Sequence, residues 1–347
     1  MLPWHRPNWD GFARSFGNLH HAQLVVAPEG SGLREFCLDM SRFSLCRLPD
    51  GDRGSGCGEC QNCKLFIAGT HPDFHVISTE WEAVNGRVDA IARYSEMYQD
   101  REGRAKKAKP TRIIPIDQIR ILIDNFARRP HISQRKVGLI VPADRLNINA
   151  ANALLKLLEE PPPDSLLILA TSEPSRLPRT VLSRCIRLNL SKPNREQALE
   201  WLGQHVETRE MEMALELADG APLKARVLCE TGLMQARKDM VEGLVGISRR
   251  NLSPYELSAS LQRLEFEEVL KWLQEFVKDL IRWKGTGQVP WWQAVRDTGP
   301  TPETLSQDKL FQVYDRISNY RRIARGNLNE ELALDNILLS IQRAICS

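Results

Sequence analysis

The chain has no apolar run approaching the roughly 20 residues that a membrane-spanning helix needs. Its first residues, Met1 to Phe12, are rich in Trp, Pro and His and lack the apolar core of a signal peptide. Both absences predict a cytoplasmic protein with no membrane partner. Charge of one sign is also scarce, because 47 Lys and Arg stand against 44 Asp and Glu, a net charge of +3. Many DNA-binding proteins are more basic, so any nucleic-acid contact should be local or shared with partners. Internal repeats and long disordered tracts are missing, which argues against a solenoid or a linker protein.

What is present describes an ordinary globular chain. Its 347 residues suggest two or three domains, and a hydrophobic share of 42% is enough for substantial cores. Short apolar runs at Ala22 to Ala27, Asp73 to Ser78, Lys136 to Val141, Ser165 to Thr171 and Ile186 to Leu190 read as strands. Helical stretches separate them, beginning near Leu33, at Ile116 to Ala127 and at Asn149 to Glu159, where Asn149 is a good N-cap and Pro161 to Pro163 stop the helix. Strands alternating with helices imply a parallel sheet covered on both faces. Glu80 to Pro110 breaks this rhythm and, with its basic run Arg104 to Lys109, reads as a solvated insertion.

After Leu190 the strand signals stop. Asn194 to Val206, Glu210 to Ala218 and Leu223 to Glu230 read as a small helical group. Ser253, Pro254 and Glu256 then open a capping-box helix, and Phe266, Val269, Leu270, Leu273, Phe276, Val277 and Leu280 form an apolar helical stripe. The expected domains are therefore residues 1–190, 191–239 and 240–347.

Four of the eight cysteines lie close together: Cys46, Cys57, Cys60 and Cys63. Their short spacings suit a tetrahedral Zn²⁺ site, and four sulfurs would leave no open coordination position, so such a site is structural. In a reducing compartment these spacings favour metal over a disulfide framework. An iron–sulfur cluster is an alternative without a supporting redox motif, and unrelated reduced thiols are the plain reading. His71 and His75 are competing ligands by chemistry, but read more simply as a loop and a strand histidine.

The first strand leads through Ala27-Pro28-Glu29-Gly30-Ser31-Gly32-Leu33-Arg34 into a helix, the place of a phosphate-binding loop. A working loop needs a lysine for the phosphates and a Ser or Thr hydroxyl for Mg²⁺. Leu33 and Arg34 occupy those positions, although Gly30 and Gly32 persist. Val141 and Pro142 stand where metal-coordinating acids would end the third strand. Asp144 lies beyond that strand end and reads as structural.

Asn152 to Pro162 (NALLKLLEEPP) resembles a block of bacterial clamp-loader subunits of the AAA+ class. Leu167 to Thr171 with Glu173, Pro174, Leu177 and Pro178 is similar to their sensor-one segment, and Thr180 to Cys185 carries their Ser-Arg-Cys motif. The cysteine module followed by Gly69 to Asp73 is also similar to that family. The resemblance covers the first domain and the domain order, and it is weak over the C-terminal helices.

It implies an AAA+ P-loop-like α/β domain with an inserted zinc module, a small helical lid and an all-α collar that joins subunits in a ring. In that family the tau/gamma subunits hold ATP, and the losses at Leu33, Arg34, Val141 and Pro142 place this chain among the members that do not. Leu223, where a sensor-two arginine is expected, agrees with this. The implied partners are tau/gamma and delta subunits, and through them the sliding clamp and primed DNA. Arg184, flanked by Ser183 and Cys185, is then expected to act in trans on a neighbour's ATP. An ATPase that uses Arg34, and a zinc-dependent nucleic-acid-binding module, remain as alternatives.

Overall fold

A computed structural model of the chain describes all residues except 86–89, 100–109, 207–210, 288–294, 296–298, 324–327 and 347, and leaves the side chain of residue 85 undescribed. The chain divides into two compact units, Met1–Cys229 and Glu230–Ser347.

The first unit is built on a five-stranded sheet: β1 (Ala22–Val26), β2 (Phe74–Ile77), β3 (Lys136–Ile140), β4 (Ser165–Thr171) and β5 (Ile186–Asn189). The strand order is β2-β3-β4-β1-β5, and every pairing is parallel. Because side chains alternate along a strand, the sheet feeds two separate cores. On one face Val25, Val76, Leu139 and Ile168 pack against α2 (Leu33–Leu45) and α1 (Arg6–Ser15). Trp9 and Phe12 of α1 meet Phe36 and Phe43 of α2 there in tilted and edge-to-face contacts. On the other face Leu24, Ile140 and Leu169 pack against α6 (Ile116–Phe126) and α7 (Ile148–Glu159). Burial of such side chains stabilises by about 1.5–3 kcal/mol each.

Two local expectations need correction. The cap of α7 is Asn147, whose side chain accepts from the Ala150 N–H. Asn149 lies inside the first turn, so the helix begins earlier than the apolar periodicity alone indicates. Part of the Glu80 to Pro110 insertion is also packed rather than solvated. It forms α4 (Glu80–Asn85) and α5 (Ala90–Ser95), and Ile91, Tyr94 and Tyr98 are buried. Tyr94 sits edge-on to Phe74, and the Tyr98 hydroxyl lies 2.6 Å from His75 Nδ1. The Trp81 N–H donates to the Thr111 carbonyl at 3.0 Å and so joins the two ends of the insertion. The basic run 104–109 lies outside the described residues.

The helical group after β5 is α9 (Arg195–Gly203), α10 (Met211–Leu217) and α11 (Pro222–Glu230). The second unit is helical among the described residues, with helices at Leu233–Ser248, Pro254–Leu261, Phe266–Thr286, Gln307–Ile323 and Glu330–Ile345. The expected capping box at Ser253 and Glu256 is formed. All seven residues of the Phe266-to-Leu280 stripe are buried inside this unit. Arg237 is buried as well and pairs with Glu275 at 2.5 Å.

Candidate functional site

The segment after β1 keeps the backbone of a phosphate loop. Gly30 and Gly32 have φ of +76° and +100°, conformations that side chains with a Cβ avoid. Both glycines are closely packed, however. A Cβ on Gly32 would lie 2.1 Å from Leu2 Cδ1 and 2.8 Å from His5 Cε1. A Cβ on Gly30 would lie 2.7 Å from the Lys224 Cβ on α11. The Ser31 carbonyl accepts from the Trp4 indole at 2.8 Å, and the Gly30 carbonyl accepts from the Leu223 N–H at 3.2 Å. Leu223, at the expected sensor-two position, therefore presents its backbone to the loop. Burial lowers His5 to about 4, against the pull of the Ser31 carbonyl. The Trp4–His5 cover was not foreseen. Its only sequence signal was the density of Trp, Pro and His near the start.

Arg34 is also engaged. Its guanidinium pairs with Glu82 of α4 at 2.5 Å, which gives the insertion a structural contact with the loop. At the end of β3, Val141 is buried, and Asp144 accepts a hydrogen bond from the Thr171 hydroxyl at 2.7 Å. That hydroxyl in turn accepts from the Glu173 N–H at 3.0 Å. Asp144 is thus a link between two strand ends, as its structural reading required.

The cysteine module lies between α2 and α3 (Gln61–Ala68). The sulfurs of Cys46, Cys57, Cys60 and Cys63 all lie within 4.8 Å of one another, with the 46–60 and 57–63 pairs at 3.9 Å. A tetrahedral zinc with Zn–S of about 2.3 Å requires sulfurs about 3.8 Å apart, so the set fits that ion. Backbone N–H groups support the sulfurs: Cys57 N–H points to Cys46, Cys60 N–H to Cys57 and Cys63 N–H to Cys60, at 3.3–3.5 Å. Donors from Cys60 and Glu59 pull the Cys57 thiol down to about 6, while burial lifts Cys63 to about 12. The four cysteines form a group able to hold a metal ion, and no histidine joins them among the described residues. His71 Nδ1 instead accepts from the Asp73 N–H, and His75 meets Tyr98.

The Ser-Arg-Cys corner lies between α8 (Arg179–Leu182) and β5. Cys185 packs on the core between the sheet and helices α6 and α7, and burial raises its thiol to about 11, so it anchors the corner as an apolar group. The Ser183 hydroxyl donates to the Thr180 carbonyl at 3.2 Å. Arg184 stays partly exposed. Its Nη1 donates to the Thr180 carbonyl at 2.9 Å and to Ser183 Oγ at 3.3 Å, and its Nη2 lies 2.6 Å from Glu159 at the end of α7. The pairing of Arg184 with a carboxylate of its own chain is thus real in this structure.

A five-stranded, all-parallel sheet in this order, with helices on both faces and a helical group after β5, defines the P-loop-like α/β fold expected from the sequence, with an inserted four-cysteine group. The comparisons narrow that class. The family described as "DNA polymerase III, delta subunit" matches residues 12–194, and its C-terminal family matches residues 231–343. A DNA polymerase III subunit delta′ from Pseudomonas aeruginosa is 29% identical over 98% of this chain and 96% of its own length. The Escherichia coli subunit delta′ is 30% identical over 98% of this chain and 95% of its own. A solved gamma-subunit-related protein of DNA polymerase III from Thermotoga maritima has the same fold, at a TM-score of 0.51 and 18% identity over 97% of this chain and 99% of that one. The chain belongs to the family of DNA polymerase III delta′ subunits.

Proposed function

We propose that this chain is the member of a DNA polymerase III clamp loader that binds no ATP and completes the ATP site of a neighbouring tau/gamma subunit. The observation that carries this reading is the contrast within one unit. The phosphate loop is shaped by Gly30 and Gly32 but closely packed by Leu2, His5 and Lys224, while Arg184 remains at the surface. A guanidinium is always charged and offers a fork of donors to phosphate oxygens. Placed against a neighbour's γ-phosphate, Arg184 would stabilise the charge that grows there during transfer.

In this reading the partners are the tau/gamma and delta subunits, with the sliding clamp and primed DNA reached through the assembled complex in the cytoplasm. No described helix is long and apolar enough to cross a membrane. Residues 240–347 serve as the collar. The Phe266-to-Leu280 stripe is used inside that unit, so ring contacts fall to other faces. Cys46, Cys57, Cys60 and Cys63 hold one structural Zn²⁺, which fixes a loop of little apolar content. Arg34 does not support the rival ATPase reading, because Glu82 already neutralises it.

Calorimetric titration of the isolated chain with Mg-ATP tests the proposal. No binding is expected, and stoichiometric binding at micromolar concentration overturns it. Elemental analysis of the same sample, purified without chelator, is expected to give one zinc per chain.

A further inference from the structure

The contact between Glu159 and Arg184 joins two motifs that sequence treats separately. Glu159 closes α7 just before the three prolines, and Leu157 and Leu158 beside it are buried in the core between the sheet and helices α6 and α7. Its backbone is therefore fixed. Arg184 stands on the α8–β5 corner, which Cys185 anchors in the same core. The ion pair at 2.6 Å is the point where these two rigid supports meet at the surface. Arg184 Nη1 is occupied by the Thr180 carbonyl and Ser183 Oγ, and Nη2 by Glu159. Among the described residues Nε–H makes no hydrogen bond, so that donor is available to a ligand from outside the chain.

We infer that Glu159 is a positioning residue for Arg184, holding the guanidinium in one rotamer before a neighbouring subunit's phosphate arrives. The inference rests on the proposed trans role of Arg184. A long side chain free in solvent loses much rotamer freedom when it is captured. Holding it beforehand moves that loss out of the reaction step, as preorganised groups do. A carboxylate so near a phosphate also repels it, so the sign of the net effect is itself informative. Thr180 and Ser183 alone fix only Nη1, and rotation about that end leaves the rest of the fork undirected.

The test uses the reconstituted clamp-loader complex and measures clamp- and DNA-stimulated ATP cleavage in a single turnover for Glu159→Gln, Glu159→Asp, Arg184→Ala and the Glu159→Gln/Arg184→Ala double variant. Glu159→Gln is expected to lower the single-turnover cleavage rate on the order of two- to fivefold, the scale an exposed ion pair supports, with the ATP concentration that gives half the maximal rate unchanged. Glu159→Asp should recover part of the loss. The double variant should turn over like Arg184→Ala alone, because Glu159 acts only through that residue. Loss of a carboxylate at a helix C-terminus removes an unfavourable dipole contact, so a slower rate does not follow from weakened folding. If Arg184→Ala slows turnover but Glu159→Gln does not, or if Glu159→Gln accelerates it, the positioning role is wrong while the trans role stands. An equal Glu159→Gln loss on the Arg184→Ala background also refutes it. Wild-type turnover in Arg184→Ala refutes the trans role, and the positioning role falls with it.

Discussion

The phosphate loop and the arginine corner flank neighbouring strands of one sheet, the loop just after β1 and the corner just before β5. They have met opposite fates. The loop has become interior: Ser31 is fully buried, and Leu2, His5 and the start of α11 pack against Gly32 and Gly30. The corner has stayed at the surface, its one charged group held by short contacts to Thr180, Ser183 and Glu159. The difference teaches where each group's ligand must come from. A cradle that takes up its own nucleotide must stay open, and once its own chain packs against it, it works as part of the core. A residue that serves another chain's ligand cannot be buried by its own chain, so its geometry has to come from polar neighbours.

The largest expected effect lies on the exposed side of this contrast. In the proposed trans role, Arg184→Ala in the assembled complex should slow ATP cleavage at one neighbouring site by about 10³-fold, the lower end for a lost trans arginine. Single-turnover measurement is the right readout, because other sites in a ring dilute the steady-state effect. Arg184→Lys keeps the charge but loses the fork, and should recover only part of the rate. Normal assembly with wild-type cleavage in both variants would break the comparison, because the corner would then be as inert as the loop.

The two regions were unequally legible in the sequence. All five strands of the sheet stood out, because each is a short β-branched or leucine-rich run between turn signals. The cysteine group was legible from spacing alone, since neighbours separated by two residues must converge. The absence of a lysine and a hydroxyl from the loop could be read at Leu33 and Arg34, because a missing residue type needs no tertiary structure to be noticed. What fills the loop could not. Leu2, His5 and Lys224 reach it from distant parts of the chain, and periodicity carries no information about such contacts. The same limit hid the partner of Arg184, because Glu159 comes from a different motif. The packed part of the insertion was missed because α4 and α5 are only six residues each, too short to show a helical period.

The next effect concerns the filled loop. Gly32→Ala places a methyl group against Leu2 at a positive φ, and should destabilise the first unit by about 2–4 kcal/mol, read from its urea midpoint. A Leu2→Ala background should return part of that loss by making room. Restoring the missing chemistry with Leu33→Lys and Arg34→Thr should not restore ATP binding, because the cover remains in place. Stoichiometric Mg-ATP binding by that double variant would show that the missing lysine and hydroxyl, rather than the filling, keep nucleotide out.

The smallest effect separates the two regions by pH. His5 lies over the loop with its pKa lowered to about 4 by burial, whereas a guanidinium keeps its charge throughout the accessible range. A base whose folded pKa lies below its unfolded value of about 6.5 binds fewer protons in the folded state between those limits. Stability is therefore full above about pH 6.5 and falls as pH drops toward 4, by at most about 1.4 kcal/mol per pH unit for each such histidine. His75, lowered to about 4 chiefly by burial beneath Tyr98, contributes in the same window. Burial also lowers His71 and His21, so replacing His5 with Phe removes one of four such groups while keeping a ring against Trp4 and Phe36. The His5→Phe variant should then lose stability less steeply than the wild type between pH 6.5 and 5 in urea titrations, and not flatly, because the other three histidines still titrate. If His5→Phe follows the wild-type curve, protonation of the loop cover does not limit the fold, and the filled loop is held by apolar contacts alone.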